Sequence, residues 1–313
     1  MTLWRIGWLL TFLAGWPQGS TAGIHEAKAV AIGGIQQWID IRGDDECNPV
    51  LLYLHGGPGN VATPYADRFT RTLQKYFVVV FWDQRASGRT AKMNPVPSGL
   101  TVKRFDDDAA DVIRYLRDRL HCEKIFLAGH SWGGYLALRV AAHHPEWLYG
   151  CFAIAPMVNQ NESERMSLEA MKQLANEKKI LQAQAELAAV HIPFEDGNQL
   201  YFHRAWLNIL IDGHKPSASQ PYVVQWARTC LVLFNEGAAE NLAVTMPEIR
   251  CPVFFLLGRK DHQTNYKITE AYFKELKAEK KELFWFDQSG HSLNLSEPKK
   301  FQEVIISTAK TIL

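Results

Sequence analysis

The chain holds three residue types that together perform acyl transfer, in an order that lets them meet. Ser131 lies in Gly-His-Ser-Trp-Gly, residues 129 to 133, with a further glycine at 134. A serine hydroxyl is a weak nucleophile at neutral pH, so it needs a base to take its proton and an acid to orient that base. Asp261, closing VFFLLGRKD, and His291, closing LFWFDQSGH, are the candidates. Serine, acid, histidine is the order expected when all three occupy loops after successive strands of a parallel sheet. Asp287 competes for the acid and His262 for the base. Asp287 belongs to the same strand segment as His291, and His262 adjoins Asp261, where neighbouring side chains face each other poorly. His121, His143, His144, His191, His203 and His214 have no comparable position and read as surface or satisfied core residues.

A fourth element is His-Gly-Gly-Pro-Gly at 55 to 59. Acyl transfer builds negative charge on the carbonyl oxygen, which requires backbone N–H donors aimed at it. Trp132, after the nucleophile, is expected to supply one and Gly57 the other, because Pro58 has no N–H and turns the chain. His55 and Gly56 of the same loop are candidate substrate contacts.

The elements that must position these residues follow from the apolar patterning. Residues 29 to 43 alternate around a Gly-Gly turn, as a β-hairpin does. The segments 48–57, 76–85, 124–130, 149–156, 251–261 and 282–291 are continuous apolar runs of strand length, suited to parallel strands covered on both faces. Between them, 104–124, 132–147, 265–280 and the stretch after Pro298 carry helical spacing. Asp106 to Asp108 fall at a helix start, where carboxylates complement the dipole without any metal. Strand and helix alternation predicts a mostly parallel, doubly wound α/β sheet. From 157 to 245 strand alternation ceases, which predicts a helical insertion between core segments 23–156 and 246–313.

Composition narrows the function classes. A chain of 313 residues with 47% hydrophobic and 21% charged residues is folded and able to bury a sizeable core. Its formal net charge of +1, and a basic cluster at 275–283 interleaved with glutamate, give no footprint for nucleic acid. Cys47, Cys122, Cys151, Cys230 and Cys251 are dispersed, without metal-ligand spacing, and read as small apolar residues that an exported protein could pair. Neither metal nor cofactor is called for by serine acyl transfer. Residues 1–22 carry Arg5, an apolar run from Ile6 to Trp16, then Pro17 and small residues. That layout is a signal peptide or short anchor, too short to span a bilayer, and predicts export with any membrane association confined to the N-terminus. A packed N-terminal helix on a cytoplasmic protein is the alternative.

The segments HGGPG (55–59), DQRASGRT (83–90), GHSWGG (129–134), GRKD (258–261) and GH (290–291) resemble those of the proline iminopeptidase (prolyl aminopeptidase) family, within the α/β-hydrolase fold. The resemblance covers about residues 30 to 310. It implies a serine peptidase with a helical cap that releases an N-terminal residue, typically proline, through an acyl-enzyme. In that family acidic residues, partly from the cap, hold the substrate amine. Glu195 and Glu236 are the candidates here, each otherwise a solvated acid, since the family's tryptophan and glutamate pattern is not found. Ala86 also stands where the family has glycine. These departures keep ester, lactone or amide hydrolysis as an alternative. An inert ligand-binding member of the fold is a third reading, opposed by the complete serine, acid and histidine set. The expected partner is a small peptide or ester. Tyr201, Phe202, Trp206, Tyr222 and Trp226 are candidates to line an apolar pocket, Trp206 among the substrate contacts, or to be cap core.

Overall fold

A computed structural model describes residues 22–95 and 99–313. The leader or anchor expected over 1–22 falls, but for Ala22, outside the described residues. No helix among the described residues is long and apolar enough to cross a membrane.

Eight strands form one sheet: β1 (Ile24–Ile32), β2 (Ile35–Gly43), β3 (Val50–Leu54), β4 (Val78–Asp83), β5 (Ile125–His130), β6 (Leu148–Ile154), β7 (Val253–Gly258) and β8 (Lys281–Phe286). Their spatial order is β1-β2-β4-β3-β5-β6-β7-β8. The hairpin β1–β2 is antiparallel and joins β4 antiparallel, and the other pairings are parallel. Every residue of β3, β4 and β7 is buried. Their unbroken apolar sequences therefore answer to cover on both faces, whereas β1, at one edge, is largely exposed.

One face is covered by α1 (Val102–Arg119) and α2 (Trp132–His143), whose Val112, Ile113, Leu116 and Leu136 join a core with the β3 and β5 side chains. The opposite face carries a second cluster in which Phe69, Phe126, Phe254 and Phe301 meet, with Phe301 from α7 (Pro298–Lys310).

The insertion leaves after β6 and consists of α3 (Gln160–Glu177), α4 (Leu181–Ala188), α5 (Gly197–Trp206) and α6 (Gln220–Ala238), with short helical turns. Its neck is drawn shut by a bridge between Asn159 and Asn241 and a hydrogen bond from Leu242 N–H to the Val158 carbonyl at 2.9 Å. The cap core is continuous with that of the sheet through Leu168, Met171, Leu231 and Phe234.

Two of the boundary differences from the sequence reading bear on the site. β7 ends at Gly258 and β8 at Phe286, so Asp261 and His291 sit in the turns beyond rather than closing the strands. Glycine explains this: a Cβ on Gly258 would lie 2.2 Å from the Gly290 carbonyl oxygen, so the two turns are pressed together immediately past the strands.

Candidate active site

Ser131 occupies the junction of β5 and α2 with φ 58° and ψ −118°. This conformation is sparsely populated for a non-glycine residue and costs on the order of 1–3 kcal/mol. The surroundings impose it: Ser131 N–H donates to the Ile154 carbonyl at 2.9 Å, and the Ser131 carbonyl accepts from Tyr135 N–H at 3.0 Å. Close backbone approach is possible only because of the flanking glycines. A Cβ on Gly129 would sit 2.0 Å from the Gly133 carbonyl oxygen, and one on Gly133 would sit 2.1 Å from that of Leu54. The turn leaves Ser131 only 6% exposed, yet in the wall of a cavity.

Asp261 and His291 are brought together. His291 Nδ1 lies 3.0 Å from Asp261 Oδ2. The second Asp261 oxygen accepts from Gln263 N–H at 2.9 Å and Thr264 N–H at 3.0 Å, and the Thr264 hydroxyl is 2.8 Å from Oδ2. Burial raises the Asp261 carboxyl pKa, but His291 and the Thr264 donors outweigh it and hold the group below its ordinary range. An anion at Oδ2 fixes the proton of neutral His291 on Nδ1, leaving Nε2 as the free base. The competitors are elsewhere: Asp287 is exposed and bonded by Arg259, and His262 packs edge-on against Tyr266. Among the described residues, no hydrogen bond joins Ser131 Oγ to His291.

His130 was not singled out in the sequence, although it stands beside the serine. Its ring lies 4.8 Å from that of His291, and its Nε2–H donates to the His291 carbonyl at 2.8 Å. Burial, and secondarily the nearby His291, lowers its pKa to about 4, so it is a neutral strut.

The glycine-rich loop faces the serine. Gly57 adopts φ +116° and lines the same cavity as Ser131. Trp132 opens α2, where the first backbone N–H groups have no intrahelical acceptor. Its indole is fully buried, donating to Gln84 Oε1 at 3.1 Å and packing edge-on against Phe105. Gln84 also donates through Nε2 to the His55 carbonyl at 3.0 Å, tying the loop to the elbow. The DQRASGRT segment is thus scaffold for the loop, and Ala86, with φ 62°, keeps the left-handed backbone that glycine would adopt without strain.

Five expected substrate contacts lie outside the cavity wall. His55 is buried, with Nδ1 2.9 Å from the Gly56 carbonyl and Nε2 accepting from Gln84 N–H, so it fixes the loop instead. A Cβ on Gly56 would meet the Ser131 Cβ at 3.2 Å; its role is to let the loop approach. Glu195 is exposed and bonded by Gln199 Nε2. Glu236 is exposed and accepts from Val102 N–H at 3.1 Å, capping α1. Trp206 is buried among the cap helices and donates to Glu186.

The cavity, of about 230 Å³, opens between loop, elbow, acid turn and cap. Tyr201, Tyr222 and Trp226 line it, while Phe202 does not. Trp226 Nε1 donates to the Pro58 carbonyl at 2.7 Å, joining α6 to the glycine-rich loop. Gln160 Nε2 donates to the Gln263 carbonyl at 2.8 Å and Asn265 N–H to Ser163 Oγ at 3.1 Å, so α3 holds the turn that carries Asp261. Among the described residues no group of side chains could hold a metal ion. All five cysteines are free: Cys151, Cys230 and Cys251 are buried, Cys122 partly so, and Cys47 exposed.

A nucleophile-elbow turn, an acid and histidine after later strands, and a glycine-rich loop facing the turn define the α/β-hydrolase class. The chain belongs to the serine aminopeptidase S33 family, whose model matches residues 46–299. It is 29% identical over 305 residues to the probable aminopeptidase YbaC of Bacillus subtilis, covering 90% of this chain and 96% of that protein. It is 23% identical over 268 residues to the proline iminopeptidase of Heyndrickxia coagulans, covering 82% and 88% of the two. Among solved structures the fold is similar to that of VinJ, with a TM-score of 0.69 at 21% identity over 92% of this chain and 99% of that one.

Proposed function

We propose that this serine hydrolase is an aminopeptidase that removes a small N-terminal aminoacyl group through an acyl-enzyme on Ser131. The observation that carries the chemistry is the His291–Asp261 pair at 3.0 Å, set beside a serine strained into a cavity wall. The aminoacyl reading is supported by similarity to the probable aminopeptidase YbaC along nearly the whole of both chains.

In this mechanism His291 Nε2 takes the Ser131 proton as Oγ bonds to the scissile carbonyl carbon. The imidazolium formed is stabilised by Asp261, and the oxyanion is held by the N–H groups of Gly57 and Trp132. Collapse breaks the bond to the leaving group, which receives the proton from His291. Water, deprotonated by the same Nε2, then releases the acid and restores Ser131. This mechanism requires Ser131 Oγ to lie within hydrogen-bond reach of His291 Nε2 in the substrate complex.

A second reading, hydrolysis of a small carboxylic ester, draws on one feature: no carboxylate lines the cavity among the described residues to receive a free amine. A panel of aminoacyl substrates with free and blocked N-termini, set beside acyl esters of similar size, separates the two. Aminopeptidase action predicts turnover that requires the free amine. Fast ester cleavage with no aminoacyl hydrolysis overturns it.

A further inference from the structure

Arg204, near the end of α5, is the only charged side chain in the wall of the Ser131 cavity among the described residues. Its partner Glu164, on α3, lies behind it. The Arg204 side chain is 20% exposed and that of Glu164 1%, so of the pair only the cation reaches the cavity wall.

The guanidinium is held in place from several sides. Nη1 donates to Glu164 Oε2 at 2.6 Å and to His203 Nδ1 at 2.9 Å, and Nη2 donates to Glu164 Oε1. With Nδ1 accepting, His203 carries its proton on Nε2, which lies 3.1 Å from the Glu164 carbonyl. The fork also rests 5.6 Å from the centre of the Phe194 ring. These bonds use three of the five guanidinium protons, leaving donors for a further acceptor. Glu164, in turn, accepts from Arg204 and from Gln160 Nε2 at 2.6 Å and does not line the cavity, so an ammonium group bound there would face Arg204 rather than a carboxylate.

We propose that Arg204 is the specificity-determining residue of this cavity and selects substrates with a carboxylate a few bonds from the carbonyl attacked by Ser131, such as a free dipeptide in preference to its amide. The proposal rests on the Ser131 cavity being the hydrolytic site, and not on which type of bond is cleaved. A prealigned guanidinium in a partly desolvated cavity favours a carboxylate over a neutral isostere, because charge-assisted hydrogen bonds are short and strong.

The test is kcat/KM of the full-length wild type on two matched pairs: prolyl-alanine against prolyl-alanine amide, and 4-nitrophenyl hemisuccinate against 4-nitrophenyl butyrate. The expected result is a preference of about tenfold or more for the acidic member of at least one pair. In the double variant Arg204→Gln/Glu164→Gln, which leaves no lone buried charge, that preference falls to near parity. Equal rates or preference for the neutral member in both pairs overturns the proposal, as does a folded double variant that keeps the preference. Inert dipeptides beside a charge-selective ester pair would remove the aminopeptidase reading and leave Arg204 in place. Cleavage of both dipeptides and both esters without regard to charge would do the reverse. Should neither pair turn over, succinate must protect Ser131 from a fluorophosphonate probe better than succinamide; equal protection overturns the proposal.

Discussion

Ser131 and Arg204 face one cavity but are held there by different means. The serine belongs to the sheet half, where backbone does the positioning: one strained turn, glycines on either side, and carbonyls at contact distance. The arginine belongs to the cap half, where side chains from separate helices do it, with Glu164 and His203 fixing the fork across 40 residues of chain in the first case and from the adjacent position in the second. Backbone constraints tolerate little change in sequence, whereas a side-chain network can be rebuilt. With Ser131 and Arg204 acting as proposed, the sheet half fixes the chemistry and the cap half fixes the substrate.

The largest expected effect tests the sheet half. Ser131→Ala and His291→Ala should each lower turnover by about 10⁴-fold or more, and Asp261→Asn by about 10⁴-fold, since the groups act as a unit. Steady-state kinetics on any turned-over substrate reads this. A loss of less than tenfold in any one would remove that residue from its role.

Next comes the claim that glycine, rather than the serine alone, makes the elbow. Gly133→Ala would drive a Cβ to 2.1 Å from the Leu54 carbonyl, backbone that cannot rotate away. A loss of about 3 kcal/mol or more is expected from urea unfolding. Gly213→Ala is the comparison: it has nothing within 4 Å but a φ of +76°, so it should cost only about 1 kcal/mol of backbone strain. Similar losses at the two positions would contradict the packing argument.

Acid should weaken both halves. Burial lowers the pKa values of His130, in the sheet half, and His203, in the cap, to about 4. Each is therefore neutral when folded while its unfolded counterpart gains a proton below about pH 6.5. Stability is expected to rise with pH through the window from about 4 to 6.5, by up to about 3 kcal/mol per histidine. Replacing His203 with Gln should flatten part of that slope in thermal melts taken across the window, and an unchanged slope would exclude its contribution.

The smallest effect concerns the tie between the halves. Trp226→Phe keeps an aromatic wall but removes the bond to the Pro58 carbonyl. A loss in kcat/KM of about threefold to tenfold is expected, with the melting temperature little changed. A large fall in melting temperature would mean that the tie serves stability rather than the placing of the glycine-rich loop.

The same division decided how much could be read from the sequence. The parallel strands were legible because central strands must be apolar on both faces, as in VLLYL and VVVFWD, and the elbow because its glycines are forced by contact. Asp261 and His291 followed from their place after β7 and β8, and the structure brings them together. The cap was legible as a helical insertion with aromatic residues for the pocket, but its polar contacts were not. Glu195 and Glu236 read from the sequence as the acids of the insertion, yet the cap carboxylate that bonds to the cavity wall is Glu164, whose partners are Gln160 and Arg204. Nothing in the spacing of residues 160, 164 and 204 marks them apart from ordinary helix surface, because α3 and α5 meet only in three dimensions. His130 could have been found, since it adjoins Ser131, but its bond to the carbonyl of a residue 161 positions away leaves no local signature. Thr264, three residues after Asp261, had a sequence cue in its position within an acid turn.

The most direct measurement of the central claim is intact mass and peptide mapping of the full-length protein after reaction with a fluorophosphonate. One adduct, mapped to Ser131 in the wild type and absent from Ser131→Ala, is the predicted result. A wild type that stays unlabelled, or a Ser131→Ala variant labelled to the same extent, would contradict the assignment of Ser131 as the nucleophile.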